Sequence, residues 1–282
     1  TSLEECSIPN ATLLEEDMFS NCSKLTSFFI GSNVETINSP FYGSGLKKLT
    51  VSTENNYFYF DGNGVYGDNE LKLAAINDNE SYEIKNEYLL NGTTYKVKKI
   101  SEWAFGNTNS RVNCLVIPEN IETFTKGVFQ GTINTLKIKS KSLNCSGYTW
   151  IDENNEKWIA SPFRGIIKTI ETSSEVSALP NSMFALVVAP EYLVLNSKST
   201  IVEDRACFSK PNGTISGIYL NFKDVDLEFI NSLKNANFDF DNAEYIYSNS
   251  EIPSSYLSSR SGLACIENGS NCKVYSSNTN NI

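Results

Sequence analysis

The 282-residue chain contains no histidine at all. That absence excludes Ser-His-Asp and Cys-His nucleophile pairs, His-ligated zinc or haem, and an imidazole switch near neutral pH. Cations are also scarce: 23 Lys and Arg stand against 33 Asp and Glu, a formal charge of −10. This is the wrong sign for nucleic acid, whose phosphates demand clustered Lys and Arg. No run approaches the roughly 18 apolar residues of a membrane span. Thr1 to Glu5 lack the basic and apolar parts of a signal peptide, so the chain reads as a mature form. Gly43-Ser44-Gly45 is not followed by the Gly-Lys-Ser/Thr of a nucleotide loop.

What is present supports an ordered chain, with 40% hydrophobic and 12% aromatic residues available for a core. There are 34 Asn. Seven of them open Asn-x-Ser/Thr triplets, namely Asn10, Asn21, Asn79, Asn91, Asn144, Asn212 and Asn268. These are candidate N-glycosylation sites, although an Asn-rich chain also produces such triplets by chance. The seven cysteines are an odd number, so at least one is free or paired outside the chain.

A short apolar pattern returns along most of the sequence. Leu3, Cys6 and Ile8 are spaced i, i+3, i+5; so are Leu25, Phe28 and Ile30, and Leu46, Leu49 and Val51. The pattern resumes at Val112, Leu115 and Ile117 and continues through Ile133, Leu136 and Ile138. A further unit runs from Ile167 and Ile170, and weaker ones follow around Leu193 and Leu195, and Ile218 and Leu220. Unit starts at 3, 25 and 46 differ by 22 and 21, and the interval from 46 to 112 is 66, three times 22. Positions i+3 and i+5 share one face of a short strand, so each unit points apolar side chains inward, and only stacking on its neighbours buries them.

Stretches such as LTSFFIGSNVETINSPF, VNCLVIPENIETFTKGVF, VKKISEWAF and MFSNCSKL resemble the BspA-like type of leucine-rich repeat, over about residues 3 to 235. The resemblance implies a right-handed leucine-rich-repeat solenoid, mostly β with short helical and turn segments, and a microbial or protist surface adhesin. The boundaries expected are one solenoid over 1–275, with a hairpin insertion at about 57–95, an irregular unit at about 143–163, a C-terminal cap at about 236–275 and a flexible tail at 276–282. In the hairpin, Asp61, Gly62 and Gly64 would form the turn and Tyr66 would start the returning strand. A calcium loop at Asp61, Asn63, Asp68 and Glu70 is disfavoured, because Val65 and Lys72 stand where that loop needs ligands. Beyond roughly Asn235 the register is expected to fail, apart from a final alternating strand from Phe238 to Ile246.

Cys6 and Cys22 are either buried thiols or a bridge across the first coil, while Cys265 and Cys272 suggest a C-terminal clasp in a secreted protein. The outward residue between the last two apolar positions of each strand defines a column about 4.8 Å from coil to coil. With its neighbours it supplies a candidate ligand-binding face: Phe29, Lys48, Val116, Lys137, Tyr192, Val194 and Tyr219. Paired carboxylates are the remaining catalytic equipment, and nothing in their spacing selects a pair. The acidic cluster Asp152, Glu153 and Glu156 reads as a solvated loop.

The expected protein is a secreted or cell-surface binding and adhesion module, without catalysis, metal or cofactor. Its partner would be a protein or a cell-surface or matrix ligand, with no nucleic acid and no membrane span. The alternatives are a structural repeat subunit that self-assembles outside the cell, or a β-helix enzyme acting on polysaccharide, against which the recurring Phe and Pro argue.

Overall fold

The computed structural model describes residues 3–141, 143–145, 148–151, 157–180, 183–184, 186–188, 190–198, 201–202, 217–222, 224–235, 245–249 and 264–267. The i, i+3, i+5 pattern becomes a ladder of short parallel strands. Glu5–Ser7, Ser27–Ile30 and Lys48–Val51 form a three-stranded parallel sheet. Ser81–Glu83, Phe105–Ile117, Phe129–Ile138, Phe163–Thr172, Tyr192–Leu195, Gly217–Leu220, Tyr245–Ser248 and Ala264–Glu267 form a second, all parallel, with Leu186–Val188 beside Phe163–Thr172. Register places Cys6, Phe28 and Leu49 side by side in the first sheet. In the second it aligns Tyr82, Leu115, Leu136, Ile170, Leu193, Ile218, Ile246 and Cys265.

Each coil turns back through a second apolar position. Leu14 pairs with Ile37; Leu71, Ile100, Phe124 and Cys145 form a run; and Leu179 pairs with Val202. From Phe28 to Ile37, Leu115 to Phe124 and Leu136 to Cys145 the offset is nine residues in every case. Phenylalanines close the coil: Phe19 lies 5.2 Å from Phe41, Phe105 lies 5.4 Å from Phe129, and Phe163 lies 5.7 Å from Phe184, centroid to centroid. Burying one such aliphatic or aromatic side chain stabilises by about 1.5–3 kcal/mol. The stacking therefore stabilises a coil that could not fold alone.

The interval from Leu49 to Leu115 holds one ladder strand, at Tyr82, so the 66 residues are two coils of 33 and not three of 22. Each long coil carries inserted antiparallel strands. The first holds Tyr59–Phe60, Gly64–Gly67 and Glu70–Ala74, the second the hairpin Glu87–Leu90 with Thr93–Lys96. In the second hairpin Asn91 and Gly92 have φ of 51° and 77°, the left-handed pair that a two-residue turn requires. From Leu136 to Ile170 the spacing is 34, and there the hairpin is Tyr148–Ile151 with Lys157–Ala160. The segment expected as one insertion at 57–95 is thus two insertions separated by the ladder strand Ser81–Glu83, and the irregular unit at 143–163 is a third hairpin.

The first insertion sits between two cores. Val65, Leu73 and Ala75 belong to the N-terminal core, and Tyr66, Leu71, Ala74 and Ile76 to the core of the long sheet. Alternation along the strand sends successive side chains to opposite faces, so one hairpin joins both blocks. Its turn is fixed by Asp61, whose Oδ1 accepts the N–H of Asn63 at 2.9 Å and of Gly64 at 2.6 Å, and whose Oδ2 accepts the hydroxyls of Tyr66 and Tyr82, each at 3.0 Å. The turn is the one expected; the returning strand begins at Gly64, two residues before Tyr66.

The ladder does not stop at Asn235. The final strand expected at 238–246 falls at Tyr245–Ser248 among the described residues, and Ala264–Glu267 extends the ladder by one strand more. A helix, Leu227–Asn235, occupies the return of the preceding coil, its first turn capped by Asp226 accepting the N–H of Phe229 at 2.9 Å. The expected tail at 276–282 and the acidic cluster Asp152, Glu153 and Glu156 lie outside the described residues.

Candidate binding face

Alternation within each ladder strand leaves two outward columns. One runs Glu83, Val116, Lys137, Glu171, Val194, Tyr219 and Tyr247 across adjacent strands. The other runs Ser81, Cys114, Thr135, Thr169, Tyr192 and Gly217. The N-terminal sheet has its own columns, Ser7, Phe29 and Thr50 in one and Glu5, Ser27 and Lys48 in the other.

Val116, Lys137, Val194 and Tyr219 therefore share one column, with Tyr192 diagonal to Tyr219. Phe29 and Lys48 belong to the other sheet, with no backbone pairing between Lys48–Val51 and Ser81–Glu83. Phe29 is 40% exposed and borders a hollow of about 470 Å³ with Ser7, Ser27, Lys48 and Thr50. The break is bridged at its edge by an ion pair of 2.7 Å from Lys47 to Asp78.

Along the long sheet the middle is polar and self-neutralised. Lys137 pairs with Glu171 at 3.1 Å, and Lys139 reaches back over one strand to Glu83 at 2.7 Å. Of the two candidate lysines of the face, Lys137 is thus matched by a carboxylate on the neighbouring strand. Burial pushes the Cys114 thiol up among these charges.

The aromatic end is different. Tyr192 and Tyr219 have ring centroids 6.2 Å apart at 54°, and Tyr219 and Tyr247 stack at 4.3 Å and 8°. Gly217 forms the floor, where a Cβ would come within 3.1 Å of both the Tyr192 and Tyr219 rings. Tyr192 is 38% exposed, and Tyr219 and Tyr247 are half-buried by one another. Tyr247 escaped the sequence reading because the ladder was expected to end before it. The signal was there in Tyr245-Ile246-Tyr247, which repeats the alternation of Gly217-Ile218-Tyr219.

Carboxylates also meet away from this face. Glu16, Glu70 and Glu102 line a hollow of about 420 Å³ together with Lys72, Lys99 and Ser101. Burial pushes the Glu70 carboxyl up, but Lys99 at 2.9 Å, Ser101 at 2.8 Å and Lys72 at 3.2 Å outweigh it, and its pKa lies below the usual value. A carboxylate held ionised by two lysines is a structural tie rather than a general acid.

The sequons at Asn10, Asn21, Asn79, Asn91 and Asn144 are exposed and occupy turns, a hairpin tip and the second ladder, off the outward columns. Asn212 and Asn268 lie outside the described residues. Cys6 and Cys22 are separate thiols, which corrects the expected alternative of a bridge. Cys6 points inward from its strand and Cys22 is buried after Phe19, each filling apolar space on its own account. Cys265 is on the strand Ala264–Glu267, and Cys272 lies outside the described residues.

Short parallel strands, 21 to 23 residues apart from Cys6 to Leu49, from Leu115 to Leu136 and from Ile170 to Leu193 and further apart where insertions intervene, with a second apolar turn and a phenylalanine in the coil, fit a leucine-rich-repeat solenoid with an open sheet face. Residues 1–72 and 89–154 match, in six copies, the family described as BspA type leucine rich repeat region. No curated protein and no solved structure matches the chain. The ladder runs on through Ala264–Glu267, well past the matched residues. Repeats of this type are commonly surface adhesion and binding modules, generally without enzymatic activity. No helix among the described residues is long and apolar enough to cross a membrane.

Proposed function

We propose that this protein is an extracellular binding and adhesion module, secreted or displayed on a cell surface, that engages a protein or matrix ligand through the outward face of its long parallel sheet. The observation that carries this reading is the row Tyr192, Tyr219 and Tyr247, solvent-facing on three successive coils. Tyrosine supplies large contact area at low entropic cost, and clustered aromatics dominate interface energetics. The single-residue explanation, that strands favour aromatics, does not account for three neighbouring rings in contact, two of them over Gly217.

The test is binding of purified protein to cell-coated and matrix-coated surfaces. Replacing Tyr192, Tyr219 and Tyr247 together by Ser should lower retention at least tenfold, while the thermal midpoint moves only a few degrees. Phe29→Ser, on the separate N-terminal sheet, should have a smaller effect. Undiminished retention of the triple variant contradicts the proposal.

A further inference from the structure

Resting on that reading of the face, we propose that its partner is a basic polypeptide, which presents Arg or Lys side chains to the opening between Tyr192 and Tyr219. Two rings with centroids 6.2 Å apart and planes inclined at 54° form a V above Gly217. A cation seated at its mouth lies within about 6 Å of both ring centroids, the range in which the ring quadrupole attracts it. The chain makes the same contact internally, where the guanidinium of Arg164 stands 5.6 Å over the Trp103 ring.

Charge points the same way. Nine lysines, Lys47, Lys72, Lys98, Lys99, Lys126, Lys137, Lys139, Lys141 and Lys198, are engaged in ion pairs with the chain's own carboxylates. The chain still carries a surplus of ten acidic groups, 33 against 23. Nearest the tyrosines, Glu191 is exposed immediately before Tyr192 and Lys168 is exposed on the adjacent strand, while Lys137, two strands away, is held by Glu171. A field of that sign steers cationic partners inward and repels acidic ones, and the tyrosines then fix where they land.

The experiment uses the full chain and a poly-L-arginine peptide of about twenty residues, titrated at low and at physiological salt. The wild type should bind it, more weakly as salt rises. Y192S/Y219S/Y247S should bind about tenfold more weakly at either salt, and Y192F/Y219F/Y247F, which keeps the rings, should bind as the wild type does. Tyr192→Ser alone, at the most exposed of the three, gives a smaller loss in the same direction and serves where the triple variant is unstable. Equal binding by wild type and serine variants shows a diffuse acidic field and overturns the proposal. Failure of the wild type to bind, or preference for poly-L-glutamate or for phosphatidylserine vesicles, overturns it too. If the serine variants lose surface retention yet keep poly-L-arginine binding, the face is right and the basic partner is wrong; if they lose neither, both readings fall.

Discussion

Single residues carry more of this fold than their size suggests. Gly165 has φ of 94°, and a Cβ there would stand 2.3 Å from the Gly131 carbonyl oxygen on the next strand. Gly165→Ala should therefore destabilise by about 2–4 kcal/mol, read from denaturant midpoints at unchanged slope, because it adds strain to a backbone contact that cannot yield. Asp61 answers four hydrogen-bond donors, two of them phenols that burial pushes well above their ordinary pKa. Asp61→Ala leaves the Tyr66 and Tyr82 hydroxyls, 2.5 Å apart, without their carboxylate and should cost about 2–4 kcal/mol by the same measurement. Glu70 sets a pH dependence whose sign follows from its lowered pKa: its contribution is full above the unfolded carboxyl range and is lost as pH falls through the lower folded value. Glu70→Gln should be less stable than wild type at neutral pH, and the gap should close on acidification below about pH 4.

Among the elements, the coils were legible in the sequence and the insertions only partly. Leu25, Phe28 and Ile30 announce a strand because a period of two and a fixed offset survive from coil to coil. The 66-residue interval was misleading because two inserts of about eleven residues each sum to one coil, so three regular coils and two enlarged ones have the same length. Asn91-Gly92 marked the second insertion, and only its left-handed φ values show that it closes a separate hairpin. Of the site, Lys137, Val194 and Tyr219 were readable from the register. Tyr247 was not, since 28 residues separate Ile218 from Ile246, the helix lies between them and periodicity is lost. The inserted strand Glu70–Ala74 makes its own prediction. Leu73→Ala should loosen the N-terminal sheet and Leu71→Ala the long one, each costing about 2–5 kcal/mol. Hydrogen exchange should show the first accelerating amides at Ser27–Ile30 and the second amides around Ile100 and Phe124.

At the scale of the whole molecule, the missing histidine and the surplus of acid acquire a setting. Nine lysines are engaged in ion pairs within the chain, the sequons among the described residues lie off the outward columns, and one outward stretch of sheet carries aromatic rings in place of charge. The central claim is that this stretch meets the partner. Hydroxyl-radical footprinting of the chain bound to its target-coated surface tests it most directly, since tyrosine oxidation reports contact without the partner being known. Tyr192, Tyr219 and Tyr247 should lose labelling several-fold on binding while Tyr57, 45% exposed on the first insertion, is labelled as before. Unchanged labelling of Tyr192 together with protection of Tyr57 or Met18 would contradict the account.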